Sequence, residues 1–485
     1  LISSSIKIHD KFQCEIDLFF KPPRKKRNQG YKIDTFIFVP KTLDINELTY
    51  DKNDFYKGIK NYIRLKAPEL LFKNFTNYAE YLEKISQDII KFEAGEITIQ
   101  NFEHDLHVFC CSLENAVTKR VEITITNHNY DKDAHHLKSL IHSTRKILTK
   151  FRELKEFHQS NHEIYETLKL IDEYISFFIK RNLFKLLNYL GHNLECNTSE
   201  TRNELLKLIK EEIKYCQINS ILLPAKNQSN EEYVYRNKVL LKKLVWSSLY
   251  LNVDTTRGHK WVSHTIFAIA AGISMVFATL VAFVVQQTYG NVSFPFFMAL
   301  VIGYMGKDRI KEILRDVFKD KLDSITAERV TKVFSKEWTR IGTIKERFNY
   351  VHDSNIDPNV LRLRYVGSSP IFKRLKKNEE IIKYQKKVLF KGKKFWSIYS
   401  KSNTDGVKDI LRINIAPFIQ KMDSPYTYDS VLEDDRAISV RLERFYKLNI
   451  VIKYTSISDT HYHKYRIVFN RKGINRIDAV NNSKQ

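Results

Sequence analysis

Residues 261–306 read WVSHTIFAIAAGISMVFATLVAFVVQQTYGNVSFPFFMALVIGYMG, 46 positions without one Asp, Glu, Lys or Arg. In a chain that is 28% charged, such a gap marks a segment with its own solvent preference. Val262 to Val285 is rich in Ala, Ile, Val, Phe and Leu, and as a helix it would extend about 36 Å, enough for the ~30 Å hydrocarbon layer. Gln286 to Asn291 is polar, Pro295 suits a first helical turn, and Phe296 to Met305 is apolar again. The reading is a two-span transmembrane helical hairpin over 261–306.

The flanks give an orientation. Lys242, Lys243, Arg257 and Lys260 precede the run, Lys307, Arg309, Lys311 and Arg315 follow it, and the turn between carries no charge. The positive-inside rule then places both termini in the cytoplasm of a bacterial-type inner (plasma) membrane. Small residues recur every fourth position at Ala270, Ser274, Ala278 and Ala282, answered by Ala299, Gly303 and Gly306. Such ladders let helices approach closely in lipid, and they predict association between copies, a homo-oligomer, with these faces as packing or pore surfaces.

Around this segment the chain is globular in composition, with 43% hydrophobic residues and a formal charge of +24. That charge points to anionic partners: membrane lipid, nucleic acid or nucleotide. Five cysteines without a C-x-x-C spacing suit a reducing compartment.

The remaining sequence sorts by periodicity. Residues 1–45 read as an N-terminal β-hairpin, Phe12 to Phe20 pairing with Tyr31 to Val39 across a Pro-rich basic turn. Residues 46–250 carry the 3.6-residue pattern of a helical bundle, in stretches such as 136–157 and 163–190. Residues 307–350 read as a cytoplasmic helical extension of the second span. Residues 351–485 read as a basic α+β domain, with strands at 448–454 and 465–469. The fold class expected is a mixed α+β membrane protein. It has a helical-bundle region with a β-hairpin start before the spans and an α+β cytoplasmic domain after them.

Between Ile371 and Lys394 ten basic residues face only Glu379 and Glu380. Lys383, Lys386, Lys387, Lys391, Lys393 and Lys394, with Trp396 beside them, form the candidate anionic-ligand site, since basic charge with interleaved rings suits nucleic acid and the charge alone suits lipid. His104, His107 and Cys111 share a helix face and are a weak metal candidate that lacks a fourth ligand. Asp17 and Asp34 lie on the two strands assigned to the hairpin, without a Glu and Lys to complete a nuclease set. No phosphate-cradling glycine loop, G-x-S-x-G or H-E-x-x-H occurs, so neither catalysis nor a cofactor is expected. The function expected is an oligomeric membrane pore or effector with cytoplasmic domains that sense an anion. The alternative is a scaffold or receptor that uses the hairpin only as an anchor.

Overall fold

The computed structural model describes residues 2–24, 29–67, 78–127, 130–192, 199–226, 229–258, 260–290, 294–325, 327–367, 379–400, 404, 406–456 and 459–480. The chain forms two compact units. One comprises Leu1–Tyr62, Leu251–Ile398 and Asp409–Gln485, and the other Ile63–Tyr250 and Tyr399–Lys408.

The strands are β1 (Ile2–Ile8), β2 (Gln13–Phe20), β3 (Gln29–Pro40), β4 (Ile59–Leu65), β5 (Asn252–Arg257), β6 (Arg329–Phe334), β7 (Arg340–Tyr350), β8 (Glu379–Phe390), β9 (Val407–Asn414), β10 (Tyr426–Glu433), β11 (Arg436–Glu443), β12 (Tyr446–Thr455), β13 (Thr460–Asn470) and β14 (Gly473–Val480). Helix α1 (Lys52–Gly58) is followed by α2 (Tyr78–Glu93), α3 (Ile99–Asn127), α4 (Tyr130–Phe157), α5 (His162–His192), α6 (Ser199–Ile218), α7 (Glu231–Val234) and α8 (Lys242–Ser247). Then come α9 (Lys260–Tyr289), α10 (Phe294–Ile325), α11 (Pro358–Tyr365), α12 (Gly392–Tyr399) and α13 (Ala416–Gln420).

The first unit is built on an eight-stranded antiparallel sheet ordered β14-β13-β12-β3-β8-β7-β6-β5 and a four-stranded sheet ordered β1-β2-β9-β4. Successive side chains of a strand point to opposite faces, and the inward set of β8 is Ile382, Tyr384, Lys386, Val388 and Phe390, all buried. The inner faces meet through rings: Phe20 of β2 lies 4.9 Å from Tyr31 and 6.1 Å from Phe390. At Gly30 a Cβ would come within 1.7 Å of the Val388 carbonyl oxygen, so β3 can lie this close to β8 only with glycine there.

The hairpin expected over residues 1–45 does not form. Its two segments are strands, but β2 pairs with β1 and β3 pairs with β8 and β12, so they belong to different sheets. Strand β2 instead forms a hairpin with the strand just before it, Ile8 facing Cys14, while β3 takes partners hundreds of residues away, so the expected pairing of β2 with β3 lost on both sides. The alternating runs at 448–454 and 465–469 lie in β12 and β13.

The two-span membrane hairpin is also overturned. Helices α9 and α10 do pack antiparallel between β5 and β6, but only His264–Thr288, of mean hydropathy 2.5, is long and apolar enough to cross a bilayer among the described residues. The uncharged part of α10 ends at Gly306, 13 residues from its start, which is about 20 Å of helix against the ~30 Å required. Beyond it Lys307, Asp308, Arg309, Lys311, Glu312 and Arg315 follow, and Arg315 stacks 4.3 Å over the Phe267 ring of α9. Without a second span, the argument that put both termini on one side of a membrane loses its premise.

The small-residue ladder is used inside this hairpin. Ala270 and Ser274 are buried, a Cβ at Gly303 would lie 3.7 Å from Val281 Cγ1, and one at Gly306 would lie 3.3 Å from Phe277 Cε1. The opposite face of α9 is bare: Leu280, Phe283 and Val284 are each 58–65% exposed.

The second unit is a bundle in which Phe102, Phe109, Phe151, Tyr174 and Phe178 form the centre. Buried polar links tie its helices. Arg152 donates to Glu212 (2.7 Å) and Asp172 (3.3 Å), and Lys155 donates to Asp172 (2.9 Å).

Candidate anion-binding face

Basic residues of the first unit fall on both faces of its large sheet, and strand parity separates them. On the inner face, Lys386 is fully buried. Its Nζ donates to Asp409 Oδ1 of β9 at 2.5 Å and to Asn61 Oδ1 of β4 at 3.1 Å. Tyr31 donates to Asp409 at 2.8 Å, while Tyr384 and Asn61 both donate to Glu346. Burial, then Asp409 beside Tyr31 and Glu346 beside Tyr384, hold both phenols well above their ordinary pKa, so they stay protonated and act as donors. This network joins the two sheets, and its lysine is committed to it.

On the outer face, the register places three strands side by side. Reading across β3, β8 and β7, one row is Lys32, Lys387 and Lys345; the next is Asp34, Gln385 and Arg347; the third is Phe36, Lys383 and Asn349. Directly opposed residues share a face, so the first row sets three ammonium groups on neighbouring strands ~4.8 Å apart. Like charges in that relation cost about 0.2–1 kcal/mol per pair.

The block has one carboxylate, and it is already engaged. Asp34 holds Lys32 at 3.0 Å and accepts from Gln385 at 2.6 Å. Lys453, opposite Asp34 on β12, turns away to Asp357 at 2.5 Å. Lys345 and Lys387 are exposed, with no carboxylate within ion-pair distance among the described residues. Lys383 lies 5.4 Å over the Phe36 ring, and its pKa is lowered by burial and by Lys32, Arg347 and Lys453, against the opposing pull of Asp34. Helix α11 and the residues before it cover the sheet from the third row onward, where Ile356, Val360 and Leu363 pack on Phe36, Phe38, Ile381 and Val451, and leave the first two rows uncovered by that cluster.

Of the lysines singled out in the sequence, the structure therefore brings Lys383 and Lys387 into the block and puts Lys386 on the far side of the sheet. Lys391, Lys393 and Lys394 lie at and just inside the start of α12, outside the block. Trp396 is buried, and its Nε1 donates to the Pro22 carbonyl at 2.6 Å, so it is no stacking platform. Lys373, Arg374, Lys376 and Lys377 lie outside the described residues. Sequence reading missed Lys32, Lys345 and Arg347, although the spacing of Lys345 and Arg347 in a strand-like run already put them on one face.

The other candidates disperse. Asp17 is on β2 in the four-stranded sheet and Asp34 on the outer face of the eight-stranded one. His107 Nδ1 lies 2.8 Å from Ser248 Oγ, and the Cys111 thiol points to the Val245 carbonyl at 3.7 Å. Burial, with Glu114 nearby, drives the Cys111 pKa well up, so it is a thiol rather than the thiolate that zinc requires. His104 is half-buried on the same helix. No group of three His, Cys, Asp or Glu is placed to hold a metal among the described residues.

No family model, curated protein or solved structure matches this chain.

Proposed function

We propose that this protein is a membrane-attached receptor for a phosphate-bearing anion, anchored by the tip of the α9–α10 hairpin and binding through the outer block of its large sheet. One observation carries the binding half: Lys32, Lys387 and Lys345 stand directly opposed on three adjacent strands. Nothing in the block answers the charge of Lys387 and Lys345, and an anion laid across the row removes the repulsion. The attachment half rests on the apolar outer surface of α9, larger than a water-exposed helix normally keeps. In this reading the uncharged distal halves enter the lipid for about 20 Å, and Lys307, stacked 3.7 Å over Tyr304, marks the headgroup level. The ladder that a multi-copy pore would use is occupied within one hairpin, which favours the anchored receptor over the pore.

Two measurements test this. Inorganic tripolyphosphate should raise the thermal midpoint of the full chain and raise that of Lys345→Gln/Lys387→Gln much less, because a ligand that binds only the folded state stabilises it. Equal shifts in both proteins remove the block as the site. The full chain should also float with neutral phosphatidylcholine vesicles, and Leu280→Lys/Phe283→Lys should not. A wild-type protein that stays at the bottom of the gradient removes the anchor.

A further inference from the structure

We infer that the anion held by the block is the phosphodiester backbone of a nucleic acid, gripped without reading its bases, and not the headgroups of the bilayer that the hairpin enters. This rests on the reading of the block as an anion site and deepens it.

The first ground is shape. The block is an open sheet surface: neighbouring strands lie ~4.8 Å apart and successive outward residues ~6.7 Å apart. Lys32, Lys387, Lys345, Arg347 and Lys383 are thus spread over roughly 10 Å by 13 Å. A polymer with regularly repeated charge can answer the four that Asp34 does not already hold, and counterion release makes each such contact favourable at moderate salt.

The second ground is what the face lacks. Open sheets that read single-stranded bases do so by stacking them on exposed rings. The one ring in the block, Phe36, is 3% exposed and belongs to the cluster under α11. The two amides of the block are turned to neighbours within it, Gln385 to Asp34 and Asn349 to Arg347, which leaves chiefly ammonium groups, suited to phosphate rather than to base edges.

The third ground is distance from the lipid. The row Lys32–Lys387–Lys345 continues through Val330 to Thr256, one residue short of the end of β5. The block is therefore at the sheet end from which the hairpin leaves. From Ile325, at the root of α10, to Lys307, its first charge after the apolar tip, is 18 residues of unbroken helix, about 27 Å. The Debye length is ~8 Å at physiological salt, so the leaflet around the tip barely acts on the block.

The test uses the full chain in neutral phosphatidylcholine nanodiscs. Two fluorescent 25-nucleotide strands of unrelated sequence are titrated over a series of salt concentrations, beside vesicles containing phosphatidylglycerol. Both strands should bind within about threefold of each other. The slope of log K against log salt should become shallower by roughly 1.4 in Lys345→Gln/Lys387→Gln, about 0.7 for each lost phosphate contact on a single strand. The thermal midpoint of that variant should be no lower than wild type, which separates lost binding from lost folding. An unchanged slope, or one strand strongly preferred, overturns the inference. If anionic vesicles bind through these lysines and the strands do not, the ligand is lipid: the inference fails and the anion site stands. If neither they nor tripolyphosphate binds, the anion site fails as well.

Discussion

Lys386 and Lys387 are neighbours in the chain and opposites in the structure. Lys386 points inward, fully buried, with Asp409 at 2.5 Å and Asn61 at 3.1 Å. Lys387 points outward, exposed, between Lys32 and Lys345. A buried ammonium persists only where a carboxylate and further acceptors surround it, so its surroundings are complete without any ligand. An exposed one costs little to leave unpaired, and its surroundings can stay open to a partner. The difference shows that the charge of +24 is not one property: part of it joins sheets, and part of it is available.

The comparison breaks most sharply at Lys386. Lys386→Ala strands Asp409 in the core and should cost about 3–5 kcal/mol in urea unfolding. Lys386→Met/Asp409→Leu should recover much of that loss, since removing both charges spares the desolvation. A single variant as stable as wild type would mean that the inner pair is not closed to water, and the contrast between the faces would collapse.

A second probe lies between the extremes. Glu15 on β2 is met by Lys7 of β1 at 2.9 Å and by Arg412 of β9 at 2.6 Å. Burial alone would raise its pKa, but Lys7 and Arg412 hold it down to about 2. A carboxylate whose pKa is lower folded than unfolded stabilises fully above the unfolded value near 4.5, and that stability drains away as pH falls toward 2. Glu15→Gln should therefore be less stable than wild type at pH 7 and should lose less on acidification from pH 4.5 to 2. Parallel curves for the two proteins would assign the acid sensitivity to other groups.

These contrasts bear on what the amino-acid sequence could disclose. The uncharged 46-residue run was visible at once and does form two antiparallel helices. It misled about span number because an unbroken absence of charge is not the same as two lengths of helix each sufficient to cross. Strands were visible by alternation at 448–454, and residues 381–390 alternate as well, with Ile382, Tyr384, Val388 and Phe390 marking one face and Lys386 placed among them. A count of lysines hides that parity, and reading it would have separated Lys386 from Lys383 and Lys387 in advance. What no local pattern supplies is the pairing: β3 finds β8 some 350 positions later, and only that register sets Lys32 beside Lys387. The helical periodicity of the second unit was legible for the opposite reason, because a helix satisfies its backbone within itself.

The smallest effect tests the outer face most directly. If the three ammonium groups of the first row repel one another in the free protein, Lys387→Gln, which removes the central charge, should leave the fold slightly more stable, by about 0.5 kcal/mol at low salt. The gain should shrink as salt screens the row. The same change at Lys386 would do the reverse, and that reversal of sign one residue apart is what strand parity requires. Should Lys387→Gln destabilise the protein at every ionic strength, Lys387 has a structural partner after all. The row would then be satisfied from within, and the case for an anion on this face would lose its physical ground.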